Sequence, residues 1–292
     1  MAILLFKNST INWCEHDYYY SEYIAEFYNS FTGLFLCLSP ILFYYNYRKD
    51  SKLYMCIFYF THSLTLLFIV GVGTILFHGT LLYIFQLVDE IPMLLLCIEY
   101  DNLLNKLLNI NTRYSYENNY KKVFLITQSR FFKYFLCIVV SCIGFINNTM
   151  QIIVFQMTIA AFVIFILINL YKVFVQNNIT YNNLLTQKTI LENSLLHDYK
   201  YANKLTTLKK IIKLSQHYNE ELKYSKIICL FTGISSIVVW KYDELYCGSG
   251  TGRNFISGHA IWHILTSICL YHVNKILLIF FTVKTKMLLN PI

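Results

Sequence analysis

The sequence predicts an all-α membrane protein, a seven-transmembrane helix bundle with a metal site inside it. Three observations carry that expectation. The chain of 292 residues is 56% hydrophobic and only 14% charged, against about a quarter charged in a soluble domain. Its mean hydropathy is +0.46. Its apolar runs are each about 20 residues long, the length that crosses a bilayer as a helix.

The runs fall near 25–46, 54–77, 81–100, 131–147, 150–175, 226–242 and 257–281. Span 3 contains Pro92 and opens beside Asp89 and Glu90, so its outer end is expected to line a cavity. Asn147 and Asn148 alone separate spans 4 and 5. The resulting division is an N-terminal segment over 1–25, a seven-span unit over 26–283 and a tail over 284–292. Residues 1–6 are too short for a cleaved signal peptide.

Orientation follows the Lys/Arg bias. Arg48, Lys49 and Lys52 follow span 1, and Lys106, Arg113, Lys121, Lys122 and Arg130 follow span 3. More basic residues lie in 177–225 and after span 7. The other side carries only Lys7, Lys241 and Arg253. The N-terminus is therefore expected in the lumen of an internal membrane, endoplasmic reticulum or Golgi, and the C-terminus in the cytosol. The net charge of +8 belongs to these loops, which argues against nucleic acid as a partner. Sequons at Asn8 and Asn178 test this: the topology allows sugar at the first and forbids it at the second.

The 177–225 segment is polar and reads as a solvated cytosolic insertion. The competing expectation is a partly amphipathic helix over 184–215, marked by Leu191, Leu195, Leu205, Leu208 and Ile211.

Residues 71–90, GVGTILFHGTLLYIFQLVDE, concentrate the chemistry. A histidine and acids at membrane depth are costly and mark function by default. His259 and His263 stand four residues apart and share a helix face. Under the seven-span topology they open span 7 at the level where His78 ends span 2 and Asp89 opens span 3. Three imidazoles with an open fourth position make a catalytic rather than a structural zinc arrangement. Asp89 would orient or deprotonate a water there. Thr74, one turn before His78, either bonds that water or a developing oxyanion, or back-bonds to the carbonyl four residues earlier. Glu90 points elsewhere and is expected to cap or pair. His16, His62, His197, His217 and His272 have no such convergence.

Asn12, Trp13, Glu15 and Asp17, with Glu26 at the mouth of span 1, offer the oxygen ligands that suit calcium; on these residues alone a hydrophilic lumenal tail is the preferred reading, and Glu26, on the same side as the histidines, is the one that speaks against it. The nine cysteines form no CxxC pair. Cys14 and Cys247 both fall on the lumenal side, where a disulfide is permitted, as a bridge or as two separate thiols.

The stretches NWCEHDY…YIAEFYNS (12–30), GVGTILFHGTLLYIFQLVDEIPM (71–93), WKYDELYC (240–247) and HAIWHILTS (259–267) together resemble the alkaline ceramidases. The resemblance implies an amidase that cleaves ceramide to sphingosine and a fatty acid in the membrane. It implies zinc on His78, His259 and His263, catalysis by Asp89 and a hydroxyl at Thr74, usually Ser. It implies calcium on Asn12, the Trp13 carbonyl, Glu15, Asp17 and Glu26, and a disulfide between Cys14 and Cys247. Asn12 stands where the family usually has Asp, and Asp17 where it usually has Asn. The 177–225 segment is unlike the better-known members. Two other classes compete: a seven-span receptor resembling the adiponectin-receptor branch, and a transporter using the intramembrane acids. The receptor resemblance implies a cytosolic N-terminus, opposite to the charge bias.

Overall fold

A computed structural model describes residues 7–50, 53–110, 133–135, 137–139, 148–195, 202–248 and 257–289. Within them the chain is helical apart from its N-terminal segment and short connections. Helix α1 spans Phe27–Tyr47, α2 Tyr54–Ile57, α3 Thr61–Thr80, α4 Tyr83–Ile110, α5 Asn148–Leu195, α6 Ala202–Gly248 and α7 Gly258–Leu289. A 3₁₀ turn over Phe58–Phe60 joins α2 to α3. Five of these stretches are long and apolar enough to cross a membrane.

The molecule is apolar on its outside, which identifies its solvent. Ile153, Met157, Ile164 and Leu167 of α5 and Leu230, Phe231, Ile234 and Val238 of α6 are exposed. Water would not tolerate so large a contiguous apolar surface, and lipid requires it. The protein is an integral membrane protein. By contrast α4 carries Asp89, Glu90, Glu99 and Asp101, all buried, because it runs through the middle of the bundle. Phe43, Leu67, Leu103, Leu107, Phe280 and Phe281 form a core that ties α1, α3, α4 and α7 together.

Close backbone approach sets the site. A Cβ at Gly73 would lie 2.6 Å from the Val88 carbonyl oxygen. Only a residue without a side chain lets α3 and α4 touch there. The chain then reverses between these helices through Leu81, which adopts a left-handed φ of 51°.

The N-terminal segment is pinned to that reversal. Ser9 N donates to Leu81 O at 2.8 Å, Tyr83 N to Lys7 O at 2.8 Å, and Ala25 N to Gly79 O at 3.0 Å. A polar, irregular stretch is thereby held over one end of the bundle.

Span 4 lies outside the described residues except for 133–135 and 137–139, which are helical. Two expectations change. The stretch from 284 to 289 is helical and continues α7 without a break. The 177–225 segment is not a solvated loop: α5 continues to Leu195 and α6 starts at Ala202. At 1.5 Å per residue α5 is about 70 Å long, against about 30 Å of hydrocarbon. The two helices project as a hairpin. Its average polarity hides an apolar seam of Leu184, Leu208, Ile211 and Ile212, and Lys209 joins Glu192 across it at 2.9 Å. No Gly or Pro stands in 177–225 to stop either helix.

Candidate metal centre

Two helix ends bring the three histidines together. His78 lies near the C-terminal end of α3, and His259 and His263 occupy the first two turns of α7. All three are buried. Ring centroids are 5.1 Å apart for His78 and His259, 5.2 Å for His78 and His263, and 4.6 Å for His259 and His263. One nitrogen from each lies within 4.8 Å of the others. Among the described residues, no other group of three His, Cys, Asp or Glu side chains converges in this way.

Hydrogen bonds decide which nitrogens are free. His78 Nδ1 stands 2.5 Å from Glu26 Oε2, so it donates and its lone pair sits on Nε2. That Nε2 is buried with no partner. His263 Nδ1 stands 2.9 Å from Thr32 Oγ1. The Thr32 hydroxyl already donates to the Tyr28 carbonyl at 2.8 Å, so His263 Nδ1 must be the donor and Nε2 is left for a ligand. His259 Nδ1 is also buried without a partner. Orphaned buried nitrogens are costly, and a metal satisfies them. A carboxylate or hydroxyl behind each imidazole is the usual way of fixing tautomer and ring.

Thr74 and Asp89 meet across the α3–α4 contact. Thr74 Oγ1 is 2.7 Å from Asp89 Oδ1 and 2.9 Å from the Val70 carbonyl. The back-bond is present together with a contact to Asp89 that was not expected, and the hydroxyl has one proton for two acceptors. It holds Asp89 rather than standing free. Thr74 is one helical turn, about 5.4 Å, from His78. Glu90 pairs as expected: Gln86 and Gln151 each donate to it at 2.7 Å.

A family model for ceramidases matches residues 6–289. The chain belongs to the ceramidase family. It is 44% identical over 87 residues to the alkaline ceramidase YPC1 of Saccharomyces cerevisiae, covering 30% of this chain and 26% of that one. It is 35% identical over 94 residues to alkaline ceramidase 1 of Mus musculus, covering 32% and 33%. It is 36% identical over 88 residues to the alkaline ceramidase of Arabidopsis thaliana, covering 29% and 32%. Each alignment thus spans a third or less of the relative.

In this ceramidase-family chain the five expected calcium residues do not stand alike. Glu26 accepts from Trp13 N at 2.8 Å and Asn29 Nδ2 at 2.9 Å besides facing His78. Its carboxylate therefore serves the imidazole. Glu15 accepts from Tyr28 N at 2.6 Å and Asn29 N at 2.8 Å, a carboxylate on the N-terminal turn of α1. Burial pushes its carboxyl up from the usual value, outweighing those two amides, which pull it down. Asn12 donates to Asp17 Oδ2 at 2.8 Å, while Asp17 Oδ1 is buried and unpartnered. Trp13 enters by its ring, stacked on His259 at 3.7 Å.

Cys14 is buried, its sulfur 3.5 Å from the Asp243 carbonyl oxygen. That carbonyl is one turn before Cys247, whose side chain lies outside the described residues.

Sequence reasoning missed Thr32, Asn29, Ser257 and Asp243. Ser257 Oγ accepts from Ala260 N at 3.1 Å and donates to Asn29 Oδ1 at 2.5 Å. A serine just before the HAIWH run is a helix-start signal and was there to be read. Thr32 and Asn29 gave no such signal, since the partners that tie them to α7, His263 and Ser257, stand more than 200 positions away.

Proposed function

We propose that this protein is a zinc-dependent intramembrane amidase that hydrolyses ceramide to sphingosine and a free fatty acid. The observation that carries the reading is the trio of buried imidazoles, two with an orphaned nitrogen, in a chain of the ceramidase family. His78, His259 and His263 would hold the ion. When bound, zinc supplies a Lewis acid and a water acidified toward neutrality.

The residues do the rest. Glu26 fixes the His78 ring and Thr32 the His263 ring. Asp89 receives the proton of the water that adds to the amide carbon. It returns that proton to the nitrogen as the carbon–nitrogen bond breaks, giving amine and carboxylic acid. Thr74 keeps the Asp89 carboxyl in position. A site sunk among helices leaves both chains of the substrate in an apolar setting.

Calcium would act structurally at the N-terminal segment. Asp17 Oδ1, buried and unpartnered, supports it, as does Glu15 beside it in sequence. The acceptors would be Asn12, the Trp13 carbonyl, Glu15, Asp17 and Glu26, whose carboxylate also faces His78. A Cys14–Cys247 disulfide would staple this segment to α6. The metal end of the bundle faces the lumen of the endoplasmic reticulum or Golgi in this reading.

Purified protein incubated with acyl-labelled ceramide tests the reaction. Labelled fatty acid and free sphingosine should appear in equal amounts and stop when a zinc chelator is added. Intact ceramide after prolonged incubation of zinc-loaded protein would overturn the assignment.

A further inference from the structure

We infer that Asp243 is a positioning residue for His259, acting through the backbone of α7. Its carboxylate reaches across from α6. Oδ1 accepts from Gly258 N at 2.8 Å and Oδ2 from His259 N at 3.2 Å. Asp243 is 3% exposed, so these bonds form away from water. The first amides of a helix have no partner within it, and here two of them are taken by one carboxylate from another helix. A negative group at that end also suits the helix dipole.

Gly258 shows how tight the fit is. A Cβ there would lie 2.9 Å from Asp243 Cβ and 3.0 Å from the Val239 carbonyl oxygen. The absence of a side chain lets the α7 terminus press onto α6. His259 is the residue most exposed to fraying, one position into its helix. Its ring nevertheless has to meet those of His78 and His263. Among the described residues, Asp243 and Ser257 take the first amides of the backbone from which that ring springs. The ring itself lies between Trp13 at 3.7 Å and Trp262 at 5.0 Å. Asp243 thus governs where the metal ligand stands without touching metal or substrate. This rests on the metal reading given above.

The test uses the full-length protein in detergent as Asp243→Asn, Asp243→Ala and, as a control on the same helix, Glu244→Gln. Zinc affinity is measured by competition with a chelator of known strength. The chain's three tryptophans supply a second readout. Two stack on His259, and Trp240 lies 6.0 Å from Trp262, so the emission of zinc-free protein reports this corner directly. The expected result is a roughly 10–100-fold weaker zinc affinity and altered emission for Asp243→Asn, larger for Asp243→Ala. Glu244→Gln resembles the parent throughout. Parent-like zinc affinity and emission, with only a lower melting temperature, would overturn the inference. A parent chain that binds no zinc sinks the metal reading instead, and the emission arm still decides the role of Asp243.

Discussion

Two clusters of buried polar groups occupy opposite ends of α4, and they differ in one respect. At the Ile110 end, Asp101 is fully partnered. Asn169 donates to its Oδ1 at 2.9 Å, Asn105 to its Oδ2 at 2.9 Å, and Lys133 pairs with it as well. Nearby, buried Lys284 donates to the Leu107 carbonyl at 2.6 Å and to Gln176 Oε1 at 3.3 Å. At the Tyr83 end the histidines have their backs satisfied by Glu26 and Thr32, while His78 Nε2 and His259 Nδ1 face no partner. Charge at membrane depth does not by itself identify a site. An arrangement that is held rigidly and left incomplete does.

The comparison can be broken from either end. The largest effect is expected at the open cluster: His263→Ala should abolish sphingosine release and remove bound zinc, read by turnover and metal analysis on well-folded protein. Asp89→Asn keeps the shape of the side chain and loses the proton shuttle. It should lower kcat by about 10²–10⁴-fold with zinc content unchanged. Glu26→Gln should weaken zinc by about 10–100-fold, because the His78 Nδ1 donor loses a charged acceptor. The smallest effect on chemistry belongs to the closed cluster. Asp101→Asn should cost about 1–3 kcal/mol of stability, seen as a lower melting temperature, and leave kcat and zinc content as they were. A dead but stable Asp101→Asn enzyme would erase the distinction between the two ends.

The open cluster was largely legible from residue order. Span ends alternate between the two membrane faces, so His78, His259, His263 and Asp89 had to share a level once the topology was drawn. The spacing of Thr74 and His78 on one helix was equally plain. What supports them was not. Asp243 and Thr32 act through contacts between distant segments, and the contact of Glu26 with His78 joins residues 52 positions apart. The helical hairpin of α5 and α6 was obscured for a different reason. Composition averages over a segment, whereas Leu184, Leu208, Ile211 and Ile212 need only one seam to pair two helices.

The claim at the centre is that the three imidazoles hold a catalytic ion. Metal analysis of purified, active protein tests it most directly. The account predicts about one zinc per chain, lost together with activity on chelation and restored together on adding zinc back. Full activity in protein shown to carry no zinc would contradict it.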